Sequence, residues 1–313
     1  EIAGKVIQFF DRNPDYTQYT LAANDGWYEG WCECSACAAL GSRTDQILTF
    51  TNRVAAIVGE KYPDKKLTVL SYFANFYAPT RNFTMEPNLE IQFTRETNMY
   101  QPVSSGFNMG SSYYPETGNT YTVTWKDNVA NWQARTGCEN YGIWEWYCVA
   151  AAKPEWQYIP WVQGRVAIQN QQYWKSIGAD YIYYDQGPLP GYYETQDDYD
   201  LRWPLWYVAS KGMWDASLTS EQILKDACRK LYGSAADAMY GYYKCLEDIS
   251  AECTARSVVW YSAPANQMYT SANINRVNAT VATVRQSLSG VTATQRARIE
   301  NQIALWETAK QHI

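Results

Sequence analysis

The stretch NDGWYEGWCECSACAAL, residues 24–40, sets Asp25, Glu29 and Glu33 among Trp27, Tyr28 and Trp31 and beside the sulfurs of Cys32, Cys34 and Cys37. Carboxylates among aromatic rings suit chemistry on a sugar. Hydrolysis of a glycosidic bond needs one carboxyl kept protonated as acid and a second, ionised, as base or nucleophile. A ring such as Trp27 or Trp31 beside Asp25 would desolvate it and raise its pKa. Asp25 is therefore the first candidate acid, with Glu29 and Glu33 as substitutes on the same loop. For the second carboxylate the candidates are Glu145, set between two tryptophans in IWEWY, and Asp185 in YIYYDQG, with Glu96 third. Arg95 offers a planar fork that matches a sugar carboxylate. Asn24, Trp27, Trp31, Tyr72, Trp144, Trp146, Tyr147, Tyr184 and Gln186 complete the expected substrate-binding set, and Tyr77 is a further candidate platform.

Each of these residues also has a plainer role. Asp25 in an Asn-Asp-Gly run is a natural turn residue, Asp185 a natural loop cap, and half the rings of any strand face its packing side. Glu145 inside an apolar strand is costly to bury unless it is paired, and Arg95 or Arg165 would pair it.

The cysteines admit two readings. Cys32, Cys34, Cys37, Cys138, Cys148, Cys228, Cys245 and Cys253, with the sequons at Asn82 and Asn278, point to an oxidising compartment, hence a secreted or cell-surface protein. Disulfides from the cluster to distant cysteines then fix the loop and lower the entropy cost of closing it around a substrate. A zinc site built on Cys32, Cys34 and Cys37 is the lesser reading. It needs a fourth ligand, and the only histidine, His312, is one residue from the end, leaving Cys138, Cys148 or a carboxylate. No metal or cofactor is expected.

Composition narrows the partner. The chain has 27 Tyr and 14 Trp against 8 Phe, an excess of rings with a polar tip, which suits partly wet surfaces and stacking against pyranose rings. A net charge of −6 without long runs gives no electrostatic footprint for nucleic acid or an anionic membrane. No apolar run approaches the roughly 20 residues that span a bilayer, and EIAGKVIQFF lacks the features of a signal peptide. With one histidine at the end, a Ser/His/Asp or Cys/His hydrolase lacks its base, and no phosphate-cradling glycine motif is present.

These residues sit in an alternating order of elements. An opening helix is followed by strands over 16–23, 65–73, 89–97, 141–149 and 179–187. Helices over 43–62, 123–136 and 161–177 lie between them, and 100–122 reads as a long loop. Such alternation argues a parallel sheet whose strand ends gather the carboxylates, rings and Arg95 on one face. From about residue 198 the periodicity is helical, ending in a pair near 267–288 and 292–311 joined at Ser289-Gly290.

The cysteine-bearing motif, DQILTFTNRVAAIVGEKYPDKKLTVLSY, IWEWY, YIYYDQG and WDASLTSEQILKDACRKLYGSAADAMYGYY together resemble a bacterial family, domain of unknown function 4838, that is grouped with barrel glycoside hydrolases and is similar in fold to α-glucuronidases. The resemblance covers residues 1 to about 250. It implies an α/β protein of the (β/α)₈ TIM-barrel type. This chain would hold the C-terminal portion, strands four to eight, as a catalytic-type domain over 1–200. A helical region over 201–313 would pack on that barrel, and an upstream part of the same polypeptide would complete it. The expected function is glycoside hydrolysis on polysaccharide or glycoprotein glycans, with carbohydrate as partner; the alternative is a non-catalytic glycan-binding or structural component of an extracellular assembly. In the family, position 145 is more often aspartate and position 185 more often glutamate, so the acids persist here with altered reach.

Overall fold

In the computed structural model, which describes residues 1–23, 31–95, 101–105, 123–146, 158–160, 162–185, 196–254 and 265–313, the chain opens with helix α1 (Ile2–Arg12), buried along Ala3, Val6 and Phe10. Strand β1 (Gln18–Thr20), the short helix α2 (Ser35–Ala38) and helix α3 (Arg43–Lys61) follow. Next come β2 (Lys66–Ser71), β3 (Leu89–Arg95), α4 (Trp125–Thr136), β4 (Tyr141–Trp146), α5 (Gly164–Ser176) and β5 (Tyr181–Asp185). Local chemistry sets the helix ends. Ser42 and Asp45 form a reciprocal capping box at the start of α3, and Gly137 ends α4 in the left-handed conformation at φ +63°.

The strands form one sheet in the order β1-β2-β3-β4-β5, and it is parallel, as the alternation with helices requires. β3 is the central strand and is buried along its whole length. Leu67, Val69, Leu89, Ile91, Phe93, Tyr141 and Ile143 make an apolar helix-facing side, where Trp132 of α4 meets Phe93 edge to face. The opposite side is polar, with Thr68, Glu90, Gln92 and Thr94 in the middle strands.

That polar side is concave. Five flat strands would hold β1 and β5 about 19 Å apart, yet the amide of Gln18 on β1 reaches the Tyr181 hydroxyl on β5 at 3.0 Å. Such closeness requires the sheet to curl like half a barrel. Gly142 on β4 permits it, because a Cβ there would lie 2.1 Å from the Tyr181 ring. Tyr181 crosses over the bare backbone and donates to Glu90 of β3 at 3.1 Å.

Contacts divide the chain into two units. The first, 1–95, 123–145 and 174–184, holds the sheet just described; the second comprises 96–122, 146–173 and 185–313. In the second unit, α6 (Gln196–Trp214), α7 (Ser220–Tyr232), α8 (Ala236–Glu252), α9 (Ala265–Met268), α10 (Ser271–Gln286) and α11 (Ala293–His312) build a core rich in Tyr and Trp. Its polar tips are satisfied. Tyr232 and Tyr243 share a hydroxyl contact of 2.7 Å, Trp306 donates to Asn278 at 2.9 Å, and Tyr269 donates to the Pro160 carbonyl at 2.7 Å. Pro204 lies inside α6 and has no N–H for the Asp200 carbonyl; the buried Gln302 amide of α11 donates to that oxygen instead, at 2.9 Å.

Replacing Gly142 with alanine drives a methyl into the Tyr181 ring. We expect Gly142→Ala to lower stability by at least about 1–3 kcal/mol, measured by urea unfolding. An unchanged midpoint would mean that the tyrosine does not cross β4.

Candidate functional site

Parallel strands end at a common edge, where barrel-type enzymes carry their chemistry. At that edge the concave face presents Trp144 on β4, whose Cα partner is Thr94, and Tyr183 on β5. Their rings meet edge to face with centroids 5.1 Å apart, and Tyr183 is 50% exposed. Period-two alternation explains the pairing: Tyr181 and Tyr183 share one face, whereas Tyr184 turns to the other. Tyr183 was legible from that alternation, although the sequence reading chose Tyr184.

Below this aromatic pair lies a polar cluster on Glu90, which sequence reasoning missed. Glu90 accepts from Gln18, from Thr68 at 3.0 Å and from Tyr181. Burial pushes its carboxyl pKa up, and burial with the neighbouring Glu90 charge pushes the Tyr181 hydroxyl to about 12. Glu90 sits next to the start of β3, at the opposite end from the functional edge of a barrel, so it builds the floor of the concave face.

Arg95 and Glu145 come together, but on the helix-facing side. They are register partners with Nη1 and Oε2 2.9 Å apart, both essentially inaccessible, and Trp174 Nε1 donates to Glu145 Oε1 at 2.6 Å. Alternation again decides this, because both residues are in phase with Phe93 and Ile143. The carboxylate is thereby held by an arginine and an indole within the fold, and Arg95 is engaged by a carboxylate of its own chain.

The remaining sequence-selected residues divide into those placed and those not. Asn24, Asp25, Trp27, Glu29, Glu96, Tyr147, Cys148 and Gln186 lie outside the described residues, as do the side chains of Trp146 and Asp185; the backbone of Asp185 closes β5. Tyr72 follows β2 directly, and Tyr77 gives its carbonyl to Thr44 at 2.7 Å. Trp31 carries the Arg43 guanidinium over its ring at 5.4 Å, while Glu33 lies 4.0 Å from Arg43. The described cysteines are all thiols. Cys138, Cys228 and Cys253 are buried, Cys245 is partly so, and the sulfurs of Cys32, Cys34 and Cys37 lie within 4.8 Å of one another. A backbone hydrogen bond from Cys37 and contacts with the Cys32 and Cys37 thiols lower the Cys34 pKa to about 7; the Cys32 and Cys34 sulfurs hold the Cys37 proton, raising its pKa to about 11. Of the two sequons, Asn82 is exposed, whereas Asn278 lies within α10 as the acceptor for Trp306. His312 stacks on Tyr158 with centroids 4.2 Å apart.

The second unit holds a cavity of about 420 Å³ that no motif had flagged. Trp203, Tyr207 and Tyr232 line it with Lys230, Arg298 and Asn301. Asn301 is fixed by donating to the Asp200 carboxylate at 2.7 Å.

Fold and site thus define a mixed α/β protein built on a parallel sheet curled as half a barrel, with an aromatic pair near its carboxyl edge. Residues 1–244 match the family described as domain of unknown function (DUF4838), and the chain belongs to it. No curated protein matches the sequence. Among the described residues no helix is long and apolar enough to cross a membrane.

Two substitutions separate the buried acids. Glu145→Gln breaks the buried ion pair with Arg95 and costs about 3–5 kcal/mol, whereas the double variant Arg95→Met, Glu145→Leu loses less; denaturant midpoints of the three proteins decide this. Glu90 behaves otherwise. Its folded pKa is raised above the unfolded value, so its contribution is complete at acid pH and declines as pH rises through the folded pKa. Glu90→Gln keeps an acceptor and cannot ionise. Unfolding curves of that variant should match wild type near about pH 4 and show the variant to be the more stable above neutrality; a gap that closes with rising pH would contradict the assignment.

Proposed function

We propose that this protein acts on carbohydrate as a glycoside hydrolase, its curled sheet being strands four to eight of a (β/α)₈ barrel. The observation that carries the reading is the Trp144–Tyr183 pair near the carboxyl edge of the concave face, with Tyr183 half exposed and Trp144 partly buried beside it. Flat apolar rings with polar tips fit the faces of a pyranose, and the polar floor beneath supplies hydrogen-bonding groups. Asp25, on the segment after β1, is the acid, and Asp185, the last residue of β5, is the second carboxylate. Glu145 drops out of the catalytic set because Arg95 and Trp174 already engage it. Substrate binds against the rings, Asp25 protonates the leaving oxygen, and Asp185 acts on the opposite side of the sugar.

A second reading, glycan binding without cleavage, is favoured by the cavity in the helical unit, where tryptophan and tyrosine rings stand beside cationic and amide groups. Sugar release from a mixed polysaccharide and glycoprotein-glycan panel, read by mass spectrometry with the full-length protein, separates the two. Hydrolysis predicts release that Asp25→Asn abolishes with its fold intact, and a roughly tenfold weaker glycan affinity for Trp144→Ala, the loss of one stacking contact. Binding without any release by the full-length protein would establish the second reading.

A further inference from the structure

The three sulfurs at the start of the segment 32–38 have a geometry that neither the sheet nor the proposed chemistry explains. Cys32, Cys34 and Cys37 come from a Cys-x-Cys-x-x-Cys run, and their Sγ atoms converge to within 4.8 Å of one another. Cys34 precedes α2, and the backbone N–H of Cys37 donates to its sulfur at 3.4 Å. Such an N–H···S contact folds the Cys-x-x-Cys half into a knuckle that aims both sulfurs at one point and disperses thiolate charge. The segment is also tied down from outside: Arg43 donates to the Cys32 carbonyl at 3.3 Å and lies over the ring of Trp31. Three is the wrong number for disulfides within the cluster, since any pair leaves the third thiol over.

We propose that Cys32, Cys34 and Cys37 bind a single Zn²⁺ ion through three thiolates, with water in the fourth tetrahedral position. A tetrahedral zinc with Zn–S of about 2.3 Å sets its sulfurs about 3.8 Å apart, so the observed cluster needs to contract by no more than about 1 Å, within the reach of χ1 adjustments. Soft sulfur donors suit zinc over magnesium or calcium. Binding releases the three thiol protons to solvent and leaves a single negative charge on the zinc–sulfur unit, beside which the guanidinium of Arg43 already stands. The ion closes residues 32–37 on themselves, and Arg43 ties that loop to the head of α3. The site does not depend on whether the protein cleaves glycans.

The test is metal analysis and native mass spectrometry of the full chain, with Cys34→Ser, Cys37→Ser and, as control, Cys138→Ser. We expect one zinc per chain in wild type and in the control, and at least a tenfold loss of zinc affinity in either cluster variant. Cobalt titration of the wild type covers the case in which a variant fails to fold: thiolate-to-cobalt charge-transfer absorption should saturate at one equivalent and be displaced by zinc. Wild-type protein that takes up neither metal overturns the proposal. So does alkylation mapping that finds two of the three sulfurs in a disulfide, with each other or with Cys148.

Discussion

The crossing of Tyr181 over Gly142 governs the sheet. Without a side chain at 142, a ring anchored on the fifth strand reaches Glu90 on the third and meets the Gln18 amide of the first. Each strand is then held by backbone pairing to its neighbour and by a polar layer to strands further away. This layer sets the direction of curl, because its bonds draw the first, third and fifth strands together on the concave face. The cost is a buried carboxyl with a raised pKa, and donors from Thr68, Gln18 and Tyr181 offset it.

Curling gives the two sides of the sheet different chemistry. The helix-facing side is close-packed around Phe93, Tyr141 and Trp132, and the charged pair Arg95 with Glu145 is enclosed there with an indole donor. The concave side is lined by Thr68, Glu90, Gln92 and Thr94 in its middle strands and carries Trp144 and Tyr183 near its carboxyl edge. A charged residue in a strand thus means different things according to its phase. In phase with Phe93 it belongs to the packing; in phase with Thr94 it faces the space where a ligand would enter.

The aromatic excess divides in the same way. In the helical unit, Tyr232, Tyr242, Tyr243, Tyr269 and Trp306 are core, and burial raises the pKa of all four tyrosines. Tyrosine serves there because its hydroxyl links helices through bonds that phenylalanine cannot make. Trp144, Tyr183 and the cavity rings Trp203 and Tyr207 differ, because they are less buried and border open space.

Much of the architecture is written in the chain at short range. Strand and helix periodicity placed every sheet strand to within a few residues, and the Ser42-x-x-Asp45 and Thr219-x-x-Gln222 boxes mark where α3 and α7 begin. The family motif, with its cysteines and its helix before β2, is equally local, and so is the alternation that would have selected Tyr183. What the tertiary structure alone decided is which side each residue meets. Glu145 and Arg95 stand 50 positions apart and pair only because β3 and β4 lie in that register. Glu90 looked like an ordinary strand acid until Tyr181, 91 residues away, crossed a glycine to reach it. Sequence period dictates alternation, but long-range register and curl dictate the partner, and a carboxylate's chemistry is set by its partner.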